Sequence, residues 1–528
     1  MKNPGSLALL IVCLASFLLL CLNFSSEPQL GDEGVLAMDG WRICRGEVPH
    51  RDFFQLIPPM AAYLQSFCLN ISGVSVFSVR ILGLIYGIAL LALAFLFYGK
   101  MLRDRLVLAA SLSIIVPAGF DAWMFGSHHW LCDILQLAGS VLLLAAIRNS
   151  SKPLSFVAGI FFGSAAFALQ DQGGYAIAGL LVAGIIFSGG KSLPFRYAAA
   201  GALSGFVLLV FPLVLSVGGV SPLWHDWVLF PLLNYKDAAN PGGIREALGF
   251  FTVEWDLRSI KEAPLYTIGL ALKTDILILS PLFCAASLIY LWIKKAVDRN
   301  VLALITIISL SFLFGSMHRF APRNAQWGFV LTLPVFIVLE ILSNSARRRA
   351  TRCLALTAVI LVLAVFLLLS VGETCLSLSG RIGKYRVSGN TGSYSSTDAA
   401  LSSNLNGLIA AIEDKVPKDE SFFCAGYVPL VNYIVKRPNP TRYNFMVFGG
   451  YYSKNQMMIW KESILKENIR WGVSLRENMN EHNGGSILPG FRPAFVNEMF
   501  VLWERKKAVP PVKSSLAEDV RSGAPTNE

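Results

Sequence analysis

Two adjacent carboxylates, Asp32 and Glu33, lie between two glycines a few residues beyond the first apolar segment of the chain. Carboxylates beside lipid are costly unless they are paired, solvated or used in chemistry, so this acidic pair is a candidate functional site. Partial desolvation and a neighbouring cation or arginine would set the protonation of Asp32. A structural interpretation stays open beside this one, because acidic residues in the first turn of a helix also favour the helix dipole.

The residues after Asp32 predict a helix of about three turns, ended by Gly46 and Pro49. Asp32 and Asp39 are seven positions apart and would share one face of this helix. We therefore expect the helix to hold Asp32 at the mouth of a cavity between membrane spans. The apolar residues expected to lie on the bilayer are Val35, Leu36, Met38 and Ile43.

Two histidines and an aspartate form a second polar group, near the start of a later apolar segment. His129 and Asp133 are four positions apart, a spacing that places both on one helical face and is able to hold a metal. The favoured interpretation is a polar wall that faces a substrate, to which His128 and His129 both contribute.

Arginines in outer segments are candidate contacts for an anion. Arg319 and Arg323 lie in a short loop where positive charge serves no topological purpose, and each is able to clamp a phosphate with two hydrogen bonds. Contact with lipid headgroups is the alternative for this pair. Arg80, one turn inside the second span, is a further substrate-binding candidate and is predicted to pair with a carboxylate of the first loop.

A long segment, 218–275, mixes aromatic and acidic residues and includes Trp224 and Tyr235. This mixture is typical of a lid over a bound substrate, to which both aromatic residues would contribute contacts. It is equally typical of an aromatic belt at the membrane interface.

Composition identifies the elements that must position these residues. Hydrophobic residues make up 54% of the 528 positions, charged residues 15%, and the mean hydropathy is +0.55. These values exclude a soluble globular protein and predict a polytopic α-helical membrane protein. Apolar runs long enough to span a bilayer predict about eleven transmembrane helices. The runs cover residues 7–24, 76–98, 106–120, 129–147, 154–169, 174–188, 197–217, 276–293, 301–315, 327–342 and 353–371.

Positive charge concentrates in alternate loops, which the positive-inside rule places in the cytoplasm. The N-terminus is then cytoplasmic, whereas the loops 25–75 and 218–275 and everything after residue 372 face outward. The net charge of +11 therefore reflects orientation, and no nucleic-acid-binding signature accompanies it. We expect a multi-pass protein of the inner (plasma) membrane.

Polar residues and turn formers replace the apolar runs after residue 372. We divide the chain into a transmembrane domain, 1–372, a soluble extracytoplasmic α/β domain, 373–508, and a disordered tail, 509–528. Within the soluble domain, helices are predicted at 399–413, 430–436 and 455–467, and strands at 421–425, 470–474 and 495–503. The stretch 388–406 is rich in Gly, Ser, Thr and Asn and is predicted to be a linker or flexible loop.

The first outer loop resembles that of the GT-C membrane glycosyltransferases. The similarity is carried by Gly31-Asp32-Glu33-Gly34, by the residues 46–54 and 58–64, and by 78–82 at the start of the second span. The most similar branch contains the protein O-mannosyltransferases and the lipid A aminoarabinose transferases. A weaker likeness extends through the span pattern to the segment 438–442.

This resemblance implies transfer of a sugar from a polyprenyl-phosphate donor to an acceptor hydroxyl of a lipid, glycan or protein on the outer face of the membrane. In that family the first acidic residue of the loop acts near the acceptor hydroxyl, which maps onto Asp32 as general base. Glu33 would either orient Asp32 or have a purely structural role. One carboxylate and a basic cluster suffice for inversion at the anomeric carbon.

Two further positions follow from the resemblance. Asp121 would correspond to a second acidic position of some relatives. Relatives often carry a basic residue near the segment 170–174, and this chain has none there, so the contacts of the donor stay undefined.

No cofactor is expected, and a bound divalent metal is the less favoured alternative. Two other functions stay open from the sequence: a transporter or flippase of envelope lipids, and a non-catalytic protein of envelope assembly. Transporters typically carry inverted repeats and charges within the membrane, whereas the charges here concentrate in the outer loops.

Overall fold

The computed structural model describes most of the chain. The described residues are 4–24, 28–119, 125–187, 193–235, 264–317, 325–344, 349–381, 385–396, 398–447, 452–479, 488 and 490–506. The predicted disordered tail and the centre of the segment 218–275 fall outside these ranges.

Long apolar helices form the N-terminal part of the protein. They are α1 (Pro4–Asn23), α4 (Val76–Met101), α5 (Arg105–Gly119), α6 (His128–Asn149), α7 (Lys152–Ala168), α8 (Gln170–Ile186), α9 (Leu193–Val217), α11 (Pro264–Lys294), α12 (Arg299–Met317), α13 (Ala325–Ser343) and α14 (Arg349–Arg381). The segment 25–75, predicted to be the first outer loop and given that name below, contains α2 (Asp32–Cys44) and α3 (Met60–Ser72). A short helix, α10 (Ser221–Trp224), continues into two π-helical turns, His225–Leu229 and Pro231–Tyr235.

Each predicted apolar segment coincides with one of these helices. Within the described residues α4, α6 and α9 are long and apolar enough to cross a membrane by length and composition. Most of the other apolar helices have only 10–17 residues in their apolar, described part. The number of membrane crossings therefore stays a prediction. Helix α11 begins at Pro264 and therefore extends into the segment 218–275 that is predicted to be an outer loop.

Small residues allow α7 and α9 to pack backbone against backbone. A Cβ atom added to Gly159 would lie 2.0 Å from the carbonyl oxygen of Ala198, and one added to Gly163 would lie 2.1 Å from that of Ala202. Close approach through small residues is how helices associate in lipid, where burial of apolar surface supplies little driving force.

Substitution Gly163→Ala is therefore expected to destabilise the helix bundle by about 1–3 kcal/mol, the usual cost of overpacking a tight interface. The matched control is Gly174→Ala in α8, where an added Cβ would have no neighbour within 4 Å and alanine favours the helix. Thermal unfolding in detergent measures the difference. Equal midpoints for the two variants would show that α7 and α9 do not pack this closely.

The C-terminal part is an α/β unit. Its strands are β1 (Tyr385–Gly389), β2 (Gly392–Ser396), β3 (Phe422–Ala425), β4 (Trp471–Leu475), β5 (Phe491–Val496) and β6 (Phe500–Arg505). Its helices are α15 (Ala399–Lys415), α16 (Leu430–Ile434) and α17 (Lys454–Lys466). Four strands form one sheet in the order β3-β4-β6-β5, in which only β3 and β4 are parallel, and β1 pairs with β2 in a separate hairpin.

Two predictions for this unit are wrong. The stretch 388–406 is not a linker, because it contains most of the β1–β2 hairpin and the first half of α15, and Val387 and Tyr394 anchor the hairpin in the core. The predicted strand 495–503 is a tight hairpin rather than one strand. Its turn is set by Asn497, whose side-chain oxygen accepts hydrogen bonds from the backbone N–H groups of Met499 and Phe500.

Helix α2 packs between α3 and α16 rather than on the bilayer. Leu36 and Met38, two of the residues predicted to contact lipid, are 6% and 0% exposed. Gly46 adopts a left-handed conformation (φ +88°) just after the helix, which agrees with its predicted role as terminator. Helix α3 and the α/β unit together therefore enclose α2, and the residues expected to meet lipid are buried in protein.

Candidate functional site

A cavity lies where the first outer loop meets the α/β unit. Its walls are formed by Asp32, Val35, Leu36 and Asp39 of α2, by the residues 54–58, by Ala61 of α3, by His128 of α6, and by Tyr427, Asn444, Phe445 and Tyr452 of the α/β unit. Its volume is about 90 Å³, which at 10–15 Å³ per water corresponds to roughly six to nine waters, about the bulk of one sugar ring. We predicted a cavity between membrane spans. The cavity that Asp32 lines is instead bounded mainly by the first outer loop and the α/β unit.

Asp32 is partly exposed at the first position of α2. The phenol of Tyr427 donates a hydrogen bond to Asp32 Oδ1. Gly31 makes this contact accessible, because a Cβ atom there would lie 2.3 Å from the Tyr427 ring. The Asp32 carboxylate is therefore fixed in orientation by a residue of the α/β unit while it still faces the cavity.

Glu33 and Arg80 form a buried ion pair directly behind Asp32. Arg80 Nε donates to Glu33 Oε1 at 2.5 Å, and Arg80 Nη2 donates to Oε2 at 2.7 Å. The backbone N–H of Gln29 also donates to Oε2, at 3.1 Å. The exposed fractions are 0% for Glu33 and 1% for Arg80. The predicted pairing of Arg80 with a carboxylate of the first loop is confirmed.

Tyr394 of β2 joins this pair to the α/β unit. Its hydroxyl lies 3.5 Å from Glu33 Oε1, and the Arg80 guanidinium lies 5.3 Å from the centre of its ring. Burial, together with the nearby Glu33 carboxylate, raises the pKa of Tyr394 well above its ordinary value, so the phenol keeps its proton. Because Glu33 and Arg80 are buried in this cluster and do not line the cavity, the geometry favours a positioning role for both over contact with substrate.

Asp39 is a second carboxyl of the cavity wall, and it is 2% exposed. The Asn444 side-chain amide donates a hydrogen bond to Asp39 Oδ1. Burial raises the pKa of Asp39 to about 8, although Arg42 and the Asn444 hydrogen bond act in the opposite direction. The two carboxyls of α2 thus face one cavity from different surroundings.

One of the two histidines of the predicted polar wall lies at the cavity. His128 lines the cavity, and its ring centre lies 4.3 Å from that of His129, which is 8% exposed. Asp133 accepts a hydrogen bond at 2.7 Å from the side-chain amide of Gln172, a residue of the polar start of α8. Over the residues that the structure describes, no group of three or more His, Cys, Asp or Glu side chains is arranged to hold a metal.

A hydrogen-bonded group ties the segment after α10 to the first outer loop. His50 Nδ1 lies 2.8 Å from Asp226 Oδ2, and the indole N–H of Trp227 donates to His50 Nε2 at 3.2 Å. Since an indole nitrogen only donates, Nε2 accepts and Nδ1 carries the proton of a neutral imidazole. Arg442 in turn donates to the backbone oxygen of His50 at 3.0 Å, so this loop also holds the segment 438–442.

Of the remaining predicted residues, Trp224 lies away from the cavity, Tyr235 is described only through its backbone, and three others are not described. Trp224 is 55% exposed and does not line this cavity, and Tyr235 ends the second π-helical turn. Asp121, Arg319 and Arg323 lie outside the described residues.

Sequence reasoning did not identify which residues of the α/β unit reach the site. Tyr427 follows the carboxyl end of β3, the strand that pairs in parallel with β4, and such strand ends commonly carry ligand contacts. Asn444 lies just beyond the segment 438–442 that shared the family likeness. The signal for Asp39 was its seven-residue spacing from Asp32 on one helical face.

No profile of a known family matches the chain, and no curated protein sequence matches it. Several solved structures are similar to the chain in fold. The structure of ArnT from Cupriavidus metallidurans bound to undecaprenyl phosphate matches over 94% of this chain and 97% of that one, with 10% identity and a TM-score of 0.57. An oligosaccharyltransferase from Archaeoglobus fulgidus, in complex with Zn and sulfate, matches over 89% of this chain and 68% of that one, with 13% identity and a TM-score of 0.54.

The apo structure of the same ArnT gives a TM-score of 0.51 at 10% identity, with a match over 94% of this chain and 97% of that one. These proteins belong to the GT-C superfamily. The resemblance predicted from the first outer loop is confirmed for the fold.

Proposed function

We propose that this chain, which has the GT-C fold, is a membrane glycosyltransferase that moves a sugar from a polyprenyl-phosphate-linked donor to an acceptor hydroxyl. The observation that carries the proposal is the placement of Asp32, a partly exposed carboxylate held by Tyr427 at the wall of a cavity of about the bulk of one sugar ring. A general base must lie within hydrogen-bond reach of the proton that it removes, and a cavity wall provides such access.

In this mechanism Asp32 accepts the proton of the acceptor hydroxyl. The hydroxyl oxygen forms a bond to the anomeric carbon while the bond from that carbon to the phosphate oxygen breaks. The phosphate leaves with the electron pair, and a single displacement inverts the anomeric centre. Attack and departure then take place on opposite faces of the anomeric carbon.

The buried ion pair of Glu33 and Arg80 positions Asp32 for this reaction without contact with substrate. It fixes the first turn of α2 and therefore the position of Asp32, and it links that turn to α4. His128 is proposed to contact the sugar or the acceptor, because it lines the same cavity. The phosphate clamp by Arg319 and Arg323 stays a prediction from the sequence, as do the contributions of Asp121, Trp224 and Tyr235.

The proposed setting is the inner (plasma) membrane, with the α/β unit on the extracytoplasmic side. There the α/β unit covers the site and would recognise a lipid, glycan or protein acceptor. A related ArnT binds undecaprenyl phosphate, which makes this carrier lipid the first donor type to test. A reaction without a metal or other cofactor is proposed, and assays with and without EDTA test that part.

The deciding experiment supplies the purified protein with a panel of radiolabelled polyprenyl-phosphate sugars and measures transfer or slow hydrolysis. Release of the sugar from at least one donor, with inversion at the anomeric carbon, is the expected result. A parallel assay in proteoliposomes follows movement of the same lipids between leaflets. Movement of the lipids between leaflets without release of sugar would contradict the proposal and favour the flippase alternative. No activity in either assay would favour a non-catalytic role.

A further inference from the structure

Asp39 has a carboxyl group in the cavity wall that takes no part in the proposed displacement. It follows Asp32 by seven residues on α2, so the two Cα atoms lie about 10 Å apart along the helix axis at a rise of 1.5 Å per residue. Both side chains line the same cavity. Asp32 is partly exposed, whereas Asp39 is 2% exposed. One helix thus presents an accessible and a buried carboxyl to one cavity.

The contacts of Asn444 fix the side of Asp39 that faces the protein. The Asn444 amide nitrogen donates to Asp39 Oδ1, and its amide oxygen accepts from Arg42 Nη1 at 3.0 Å. Because the oxygen is held by a guanidinium, which only donates, the nitrogen must point at Asp39. Asp39 Oδ1 is therefore an acceptor in this arrangement, and a proton on the carboxyl would belong to Oδ2.

The nearby cation, Arg42, has an ion-pair partner other than Asp39. Arg42 donates from Nε to Glu47 at 2.7 Å and from Nη1 to the backbone oxygen of Thr441 at 2.9 Å, so Glu47 is its ion-pair partner. The other titratable groups of the cavity wall are Asp32 on α2, His128 on α6, and Tyr427 and Tyr452 on the α/β unit. Burial outweighs these influences and raises the pKa of Asp39 to about 8, so the carboxyl is mostly neutral near pH 7.

We propose that Asp39 binds the phosphate of the lipid-linked donor as a neutral carboxylic acid that donates a hydrogen bond. This inference rests on the proposed function. Inversion requires the attacking hydroxyl and the leaving phosphate to lie on opposite faces of the anomeric carbon, so with Asp32 as the base the phosphate needs a second group of the cavity wall, and Asp39 is the other carboxyl there. The paired carboxyls of inverting glycosidases are about 6.5–9.5 Å apart, which leaves room for a nucleophile beside the sugar, and the Cα separation of about 10 Å along α2 is compatible with such a division of roles.

The charge of the phosphate explains why a buried carboxyl suits this position. An ionised Asp39 would repel the phosphate, whereas a neutral acid donates to it, as a neutral Asp donates to an oxyanion in ketosteroid isomerase. The phosphate of the donor is a diester with a single, strongly acidic proton, and the polyprenyl phosphate that leaves is a monoester with a second pKa of about 6, below that of Asp39. The proton therefore stays on Asp39, and no proton transfer to the leaving group is part of the proposal.

The test measures binding of undecaprenyl phosphate in detergent from about pH 6 to pH 10, because a group loses its neutral form tenfold per pH unit above its pKa. For the wild-type protein the affinity is expected to fall as the pH rises through about 8. Asp39→Asn keeps a neutral N–H donor and is expected to bind within a few-fold of wild type at pH 7, without the alkaline decline. Asp39→Ala removes the donor and is expected to bind about tenfold to a hundredfold more weakly at pH 7.

The controls separate this inference from the proposed function. Asp32→Asn is expected to bind the lipid and to keep the alkaline decline, because it leaves Asp39 intact. Titration of the lipid phosphate is the same for every variant, so only the difference between variants reports on Asp39. Thermal unfolding shows whether Asp39→Ala and Asp39→Asn remain folded.

Two outcomes would overturn the inference while the proposed function stands: a wild-type affinity that does not depend on pH, or an alkaline decline that persists in Asp39→Asn. Absence of lipid binding by the wild type at every pH would overturn both. A purely structural Asp39 would alter stability in the variants but would leave the alkaline decline of binding unchanged.

Discussion

Substitution Asp32→Asn is expected to lower the rate of sugar transfer by about 10²–10⁴-fold, the usual contribution of a positioned general base. Asparagine preserves the size of the side chain and an oxygen able to accept from Tyr427, but it cannot take the proton of the acceptor hydroxyl. The loss should therefore appear in kcat more than in KM. Initial rates of transfer from a radiolabelled donor, at matched protein concentration, measure it.

A matched control removes an exposed carboxylate of the α/β unit, away from the cavity. Asp414 lies at the end of α15, its side chain is 77% exposed, and Asp414→Asn is expected to leave the rate unchanged. Thermal unfolding of both variants checks that each is folded. Equal rates for wild type and Asp32→Asn would move the general base away from Asp32, and with it the main support for the catalytic assignment.

Substitution Arg80→Met is expected to destabilise the protein by about 3–5 kcal/mol, because it leaves the Glu33 carboxylate buried without its cation. The carboxylate is 0% exposed and cannot regain solvent without disturbing the start of α2. Transfer activity is expected to fall in parallel, since Asp32 follows the position of that turn. Denaturant or thermal unfolding in detergent measures the change in stability.

The double substitution Glu33→Gln with Arg80→Met distinguishes loss of the pair from loss of packing. Removal of both charges eliminates the unpaired carboxylate, so the double variant is expected to be more stable than Arg80→Met alone. The double-mutant cycle then gives the coupling free energy of the two side chains. Additive effects of the two single substitutions would contradict a direct ion pair between Glu33 and Arg80.

The buried ion pair of Glu33 and Arg80 was predictable from the sequence only in part. An arginine inside a span must be paired, so a carboxylate partner for Arg80 was predictable from the sequence. Which of the two adjacent carboxylates would be the partner was not, because both lie within reach along the chain. The rotation of α2 decides it, by turning Glu33 toward α4 and Asp32 toward the cavity.

The errors in the α/β unit have a similar origin. The composition of 388–406 is typical of a linker, yet the β1–β2 hairpin forms there because Val387 and Tyr394 bury their side chains against distant elements. Likewise Leu36 and Met38 are as apolar as residues that contact lipid, and only the packing of α3 and the α/β unit around α2 shows that they contact protein instead.

The sequence by itself determined the membrane-protein class, the helical segments, the end of α2 near Gly46 and the likeness of the first loop to GT-C proteins. These features depend on hydrophobicity and on local backbone preferences, which act over a few neighbouring residues. Only the tertiary structure decided that Tyr427 and Asn444 reach the α2 carboxyls across about 400 positions of sequence, and that Asp39 is buried. Burial and long-range contacts set the chemistry of a carboxyl, and neither is encoded in its immediate neighbours.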